Sequence, residues 1–174
     1  MVSIELPDEA ATRRLGERLG QLMGPGDVVL LTGDLGAGKT TLVQGLAVGL
    51  GISDLVVSPT FALVHELAGR VPLRHLDLYR LTGPDLEQLG AEEWFEPDAA
   101  VAVEWAERLG PFRPAEHLEI DLAAGRTGRQ ARLHAAGERA RALLAALGAG
   151  ERRRGDAGDG GDGGDGGDSG DGGT

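Results

Sequence analysis

Between residues 28 and 50 the chain passes from a short apolar stretch, through a glycine-rich turn, into a segment with helical spacing. No other part of the sequence restricts the fold as much. Val28-Val29-Leu30-Leu31 is an unbroken apolar run, which fits a strand buried on both faces, as in parallel sheets covered by helices on each side. Leu42, Val43, Leu46, Ala47 and Leu50 recur at helical intervals and Gly51 supplies a stop. The turn between them, Gly33-Asp34-Leu35-Gly36-Ala37-Gly38-Lys39-Thr40, matches G-x-x-x-x-G-K-[ST] at every fixed position. In that pattern backbone N–H groups and the positive end of the helix converge on phosphates. With this composition a chance match is expected roughly 0.002 times, so the turn is read as a phosphate cradle. Lys39 is also the sole lysine among 17 basic residues. A compact ammonium reaches between phosphate oxygens where a planar guanidinium is too wide.

Charge and composition narrow the function further. The formal charge is −11 in 174 residues, without the basic excess that a free-standing nucleic-acid binder uses to neutralise phosphates. There are no cysteines, hence no disulfide framework, thiolate metal site or thiol nucleophile. The sequence has no run of 18 apolar residues and no signal-peptide layout at Met1-Val2-Ser3-Ile4-Glu5, so a cytoplasmic protein is expected. The expected division is a domain over residues 1–150 and a disordered, acidic Gly/Asp-rich tail over 151–174. The tail offers six Asp after Gly155 and no large apolar side chain to bury. It also lacks the periodic apolar residue of a calcium-binding β-roll.

The remaining pattern predicts an α/β protein, a P-loop NTPase-like three-layer fold with a mixed, mainly parallel central sheet. Pro7-Asp8 opens a helix with Ala11, Leu15, Leu19 and Leu22 on one stripe, and Gly24-Pro25-Gly26 ends it. Phe61 to Leu67 and Val71 to Leu78 read as strands joined through Ala68-Gly69-Arg70. Leu86 to Phe95 reads as short helical pieces, and Ala99 to Val103 as a second buried strand. Leu118, Ile120 and Leu122, then Ala131, Leu133 and Ala135, alternate with polar residues and predict an antiparallel pair. A last helix spans Gly137 to Leu147. Trp94 and Phe95 are read as core aromatics, with a docking patch as the competing role.

Hydrolysis of a bound nucleotide needs a metal and a group that orients water. Thr40 is the motif's magnesium ligand. Glu104, directly after the apolar Ala99 to Val103, stands at a strand's carboxyl end, where ligands of open α/β sheets collect. Asp77 lies in Leu73-Arg74-His75-Leu76-Asp77-Leu78, where a period of two puts His75 and Asp77 on one face. It is a candidate to order the attacking water or the magnesium shell, with a structural partnership with Arg80 or His75 as the alternative. Arg80 is read as a surface ion-pair residue rather than an arginine finger. With its one lysine at position 39 the chain has no guanine-reading N-K-x-D segment, so adenine is the default base and ATP with Mg2+ the expected ligand. A small-molecule kinase with Arg113, Arg126, Arg129 and Arg132 in a lid, and a nucleotide-gated non-catalytic module, are the competing readings.

Four motifs in order, Gly33 to Thr41, Ser58-Pro59-Thr60-Phe61, His75-Leu76-Asp77-Leu78-Tyr79-Arg80 and Val103-Glu104-Trp105, resemble the TsaE (YjeE-type) family. The likeness covers about residues 4 to 147. It implies an ATPase that supports formation of threonylcarbamoyladenosine next to the tRNA anticodon, working with TsaD and TsaB and meeting tRNA only through that complex. The resemblance further implies that Gly33, Asp34, Leu35, Gly36, Ala37, Gly38, Lys39, Thr40 and Thr41 hold the nucleotide, with Thr12 near it. Glu104 completes the metal site with Thr40, Asp77 is needed for hydrolysis, and Thr60 senses the γ-phosphate. Ala106 stands where the family commonly has Pro, and Leu67 where an aromatic is frequent. Neither touches the nucleotide chemistry.

Overall fold

The computed structural model describes residues 1–54, 56–59 and 63–155, and they form one 7-stranded sheet with helices on both faces. The strands are β1 (Val2–Leu6), β2 (Val28–Thr32), β3 (Val64–Leu67), β4 (Leu73–Asp77), β5 (Ala100–Glu104), β6 (His117–Ala124) and β7 (Arg129–Ala136). The helices are α1 (Glu9–Leu22), α2 (Lys39–Gly49), α3 (Gly83–Gln88) and α4 (Glu138–Gly155), with 3₁₀ turns at Ala91–Phe95 and Ala106–Phe112. The order across the sheet is β1-β7-β6-β2-β5-β4-β3. The central strands β6, β2, β5 and β4 are parallel, while β7 pairs antiparallel with β6, β1 antiparallel with β7, and β3 antiparallel with β4. Among the described residues no helix is long and apolar enough to cross a membrane.

The strand sequences account for the layers. β5 is buried at all five positions, and its alternate residues serve two separate cores. Ala100 and Ala102, with Val29, Leu31 and Leu73, face the layer of α1, α2 and α4. Val101 and Val103, with Val28, Leu30 and Leu76, face Leu86, Ala91 and Leu109 on the other side. Trp94 and Phe95 pack, partly buried, against this second core, as the core reading of those aromatics expected.

The first helix begins as its sequence directs. Asp8 caps α1 by accepting the Ala11 N–H at 2.6 Å. Its contact face differs from the predicted stripe. Leu22 is 43 % exposed, and the buried residues are Thr12, Leu15, Gly16, Leu19 and Gly20. Glycine decides this face. A Cβ on Gly16 would lie 2.1 Å from the Leu42 carbonyl oxygen, and one on Gly45 of α2 would lie 2.0 Å from that of Arg13. Gly20 and Gly49 repeat the arrangement one turn on, so α1 and α2 touch backbone to backbone.

Two elements have no counterpart among the sequence expectations. β1 adds an antiparallel edge strand to β7, with Val2 opposite Leu133 and Leu6 opposite Arg129. The 3₁₀ turn at Ala106–Phe112 folds back beside the second core, breaking at Gly110, whose φ of 51° suits glycine. At the other end α4 runs past Leu147 to Gly155. Its first turn is tied to the sheet by Arg139, whose Nε donates to the buried Asp27 carboxylate.

Candidate functional site

The glycine turn between β2 and α2 crosses the carboxyl ends of the parallel strands. Gly33 has φ 127° and sits so close to β6 that a Cβ would meet the Leu122 carbonyl oxygen at 2.2 Å. Gly38, with φ 106°, precedes the first turn of α2 in the left-handed region. Lys39 is only 4 % exposed. Its Nζ donates to the carbonyls of Gly33 at 2.6 Å and Asp34 at 2.9 Å, and stands 3.8 Å from the centre of the Trp105 ring. Burial holds the ammonium below the ordinary lysine range, against the opposing pull of Glu104, Glu107, Asp77 and Asp34.

β4 and β5 end side by side and bring two acids to the same level, Asp77 in register with Glu104. Glu104 is 3 % exposed and faces inward rather than into solvent. It accepts the Thr40 hydroxyl at 3.0 and 2.9 Å through its two oxygens, and lies 2.8 Å from His75 Nε2. Asp77 accepts the Ser58 hydroxyl and, at 2.9 Å, the Tyr79 N–H. Pairing of His75 with Asp77, one alternative left open by the sequence, is replaced by pairing with Glu104 on the neighbouring strand.

These groups border a cleft of about 450 Å³. Of the predicted residues Leu35, Gly36, Gly38, Lys39, Thr40, Thr41, Asp77 and Glu104 line it, joined by Arg80. Asp34 and Ala37 border the hollow on the other side of the turn, towards β6 and Gly128. Thr12 is fully buried within α1, its hydroxyl on the Asp8 carbonyl, and is not brought to the cleft wall. Thr60 lies outside the described residues. Ser58, Tyr79 and Trp105 also line the cleft, though sequence reasoning gave them no role, and so does Arg129, read from the sequence only as a residue of a kinase lid. Their signal was proximity, since Ser58, Tyr79 and Trp105 each belong to a quoted motif. Arg129 comes from β7 and reaches the Gly36 carbonyl at 3.3 Å, a contact no local pattern announces. Of the arginines a kinase lid would need, Arg113 forms a double hydrogen bond with Glu119 at 3.0 and 3.1 Å.

The donor set would suit a hard cation beside phosphate. Thr40 and Glu104 offer oxygens only, and the backbone amides of Gly38 to Thr40 open α2. Among the described residues no group of three or more His, Cys, Asp or Glu side chains gathers as a metal cage. An ion bound here would complete its shell from phosphate and water oxygens.

A buried parallel strand, a glycine turn and a helix at the centre of a three-layer α/β sheet, with acids at the neighbouring strand ends, define a P-loop NTPase-like fold. The chain belongs to the TsaE family: residues 6–132 match the family described as threonylcarbamoyl adenosine biosynthesis protein TsaE. It is 47 % identical over 139 residues to the tRNA threonylcarbamoyladenosine biosynthesis protein TsaE of Nostoc sp., covering 76 % of this chain and 85 % of that one. It is 41 % identical over 135 residues to the protein of the same name from Bacillus subtilis, covering 76 % and 84 %. The fold resembles the crystal structure of Bacillus subtilis YdiB, with a TM-score of 0.74, 34 % identity and coverage of 86 % of this chain and 95 % of that one.

Proposed function

We propose that the chain binds ATP with Mg2+ in the cleft beside Lys39 and hydrolyses it, in the cytoplasm, as part of an assembly with TsaD and TsaB. That turnover supports threonylcarbamoyladenosine formation on tRNA held by those partners. The observation that carries this reading is the meeting of Thr40, Glu104 and Asp77 within one cleft whose floor is the glycine turn and Lys39.

The residues divide the work by position. Backbone amides of the turn and the start of α2 bind phosphate oxygens, and the Lys39 ammonium moves from the Gly33 and Asp34 carbonyls to the terminal phosphates. Thr40 and Glu104 would hold the magnesium ion, which when bound neutralises charge on the phosphate oxygens. Asp77, its two oxygens held by Ser58 and the Tyr79 N–H, faces the cleft as an acceptor for the proton of an attacking water. The acidic balance of the chain fits a protein that docks on a tRNA-binding partner rather than on tRNA.

The test is phosphate release from ATP, with and without purified TsaB and TsaD, for wild type, Lys39→Ala and Asp77→Ala. Wild type releases phosphate with no added acceptor and is stimulated by the partners, and Lys39→Ala loses ATP binding. Asp77→Ala keeps binding while turnover falls on the order of 100-fold or more. Phosphate appearing only when an acceptor is supplied would replace hydrolysis with a kinase reaction, and absence of stimulation would remove the assembly from the proposal.

A further inference from the structure

His75 has no part in the chemistry just described, yet it is placed as few core residues are. Its ring is completely buried on β4. Nε2 lies 2.8 Å from Oε1 of Glu104, and Nδ1 is buried with no hydrogen-bond partner among the described residues. An unmet polar atom in the interior costs stability that an apolar side chain of similar size would not. A ring kept there for packing alone is therefore a poor choice.

The geometry fixes which nitrogen carries the proton. A carboxylate accepts and does not donate, so the contact with Glu104 requires a hydrogen on Nε2. In the neutral ring the atom left unmet is then the bare Nδ1, an acceptor. The opposite tautomer would set two acceptors 2.8 Å apart and bury an unmet N–H besides. Space for the ring comes from the neighbouring strand, where the residue in register with His75 is the small Ala102. Glu104 follows two positions later on the same face, so the imidazole lies beneath the carboxylate and Thr40 on its other side.

We propose that His75 is a positioning residue: its Nε2–H holds the Glu104 carboxylate in the rotation that faces Thr40 and the metal position. The proposal rests on the reading of this cleft as a magnesium nucleotide site. Outer partners of ligating groups act this way generally, and their loss typically lowers metal affinity or activity 10- to 100-fold.

Two measurements on the full chain test it. The first is a nitrogen-15 spectrum of the imidazoles, with the His75 signals identified by their loss in His75→Gln. A pyridine-type Nδ1 and a pyrrole-type Nε2 are expected, and the reverse assignment overturns the proposal without reference to any ligand. The second is a Mn2+ titration of the ATP-bound protein for wild type, His75→Leu and His75→Gln. His75→Leu weakens metal binding about 10- to 100-fold, while ATP affinity measured with the metal chelated stays at the wild-type level. His75→Gln, whose terminal N–H can stand near the position of Nε2, recovers most of the loss. Metal affinity of His75→Leu within about twofold of wild type, far short of the usual outer-partner effect, overturns the proposal, as does an equal loss of metal-free ATP binding. If His75→Leu does not fold, the spectrum and His75→Gln still decide. Wild type that binds no ATP would sink the nucleotide reading itself, a result distinct from a wrong tautomer.

Discussion

Lys39 combines a cost to the fold with the phosphate-binding role proposed for it. Its ammonium is buried, and burial lowers its pKa despite four carboxylates nearby. The unfolded chain holds this proton more tightly than the folded one, so the group's penalty is fully present at low pH. It is relieved as pH rises from the lowered value towards 10.5, and in that window Lys39 adds to stability with pH. Phosphate binding has the opposite sign, because it needs the charged form. On the proposed reading ATP affinity should therefore decline with rising pH from below the ordinary lysine range, while apparent stability of the free protein does not decline through Lys39. Calorimetric titrations across the alkaline range check this: wild type should show the decline, and an affinity that stays constant up to the ordinary lysine range would contradict it. At this scale the sequence was informative wherever a motif or a strand end fixes a residue: Lys39, Thr40, Asp77 and Glu104 all border the cleft. It offered Asp77 as a partner for His75 and missed Glu104, because a period of two assigns a face but not the residue met on the next strand. The contact of Arg129 with the glycine turn was equally hidden, since it is 93 residues from the carbonyl it touches.

The packing of α1 on α2 sets where the phosphate turn begins. Gly16 and Gly20 of α1 lie on the backbone of α2, Gly45 and Gly49 of α2 lie on that of α1, and each lacks room for a methyl group against the partner's backbone. Alanine is the better helix former by up to about 1 kcal/mol. Against that, overpacking costs about 1–3 kcal/mol, and here the obstacle is backbone that cannot rotate away. Gly16→Ala and Gly45→Ala should each destabilise the protein by a net of about 1–2 kcal/mol, read from the midpoint of urea unfolding. They should also weaken ATP binding, because α2 carries Lys39 and Thr40. The elements themselves were largely readable: β2, α2, β5 and the β6–β7 pair follow from apolar runs, helical spacing and alternation. The contact face of α1 was not, because counting large apolar residues passes over glycines four apart, and these decide how closely two helices approach. β1 was missed although Val2, Ile4 and Leu6 alternate with Ser3 and Glu5, a short period-two signal that gains its meaning only from β7.

Across the whole molecule, two cores on opposite faces of one sheet must be closed from both sides. α4 closes the first, burying Ala140, Leu143 and Leu147, and is held at its start by Arg139 on Asp27 and near Leu147 by Arg18, which donates to the Leu147 carbonyl at 2.7 Å. Asp27 is 8 % exposed, so Arg139→Ala leaves a buried carboxylate with the Gly24 N–H but without its guanidinium. We expect a loss of about 1–3 kcal/mol, seen as a lower thermal midpoint, with ATP turnover unchanged because the pair lies away from the cleft. The same view of the sheet bears on how the protein can respond to a ligand. Asp77 and Glu104 are opposite each other on adjoining parallel strands, and just beyond them the Leu78 N–H grips the Glu104 carbonyl at 3.1 Å. Their backbones are thus about 5 Å apart by the spacing of any sheet, and no hinge can open that gap. The acids behave as an anvil, and whatever motion accompanies a catalytic cycle has to be delivered by the hammer side, the glycine turn and the chain around Ser58.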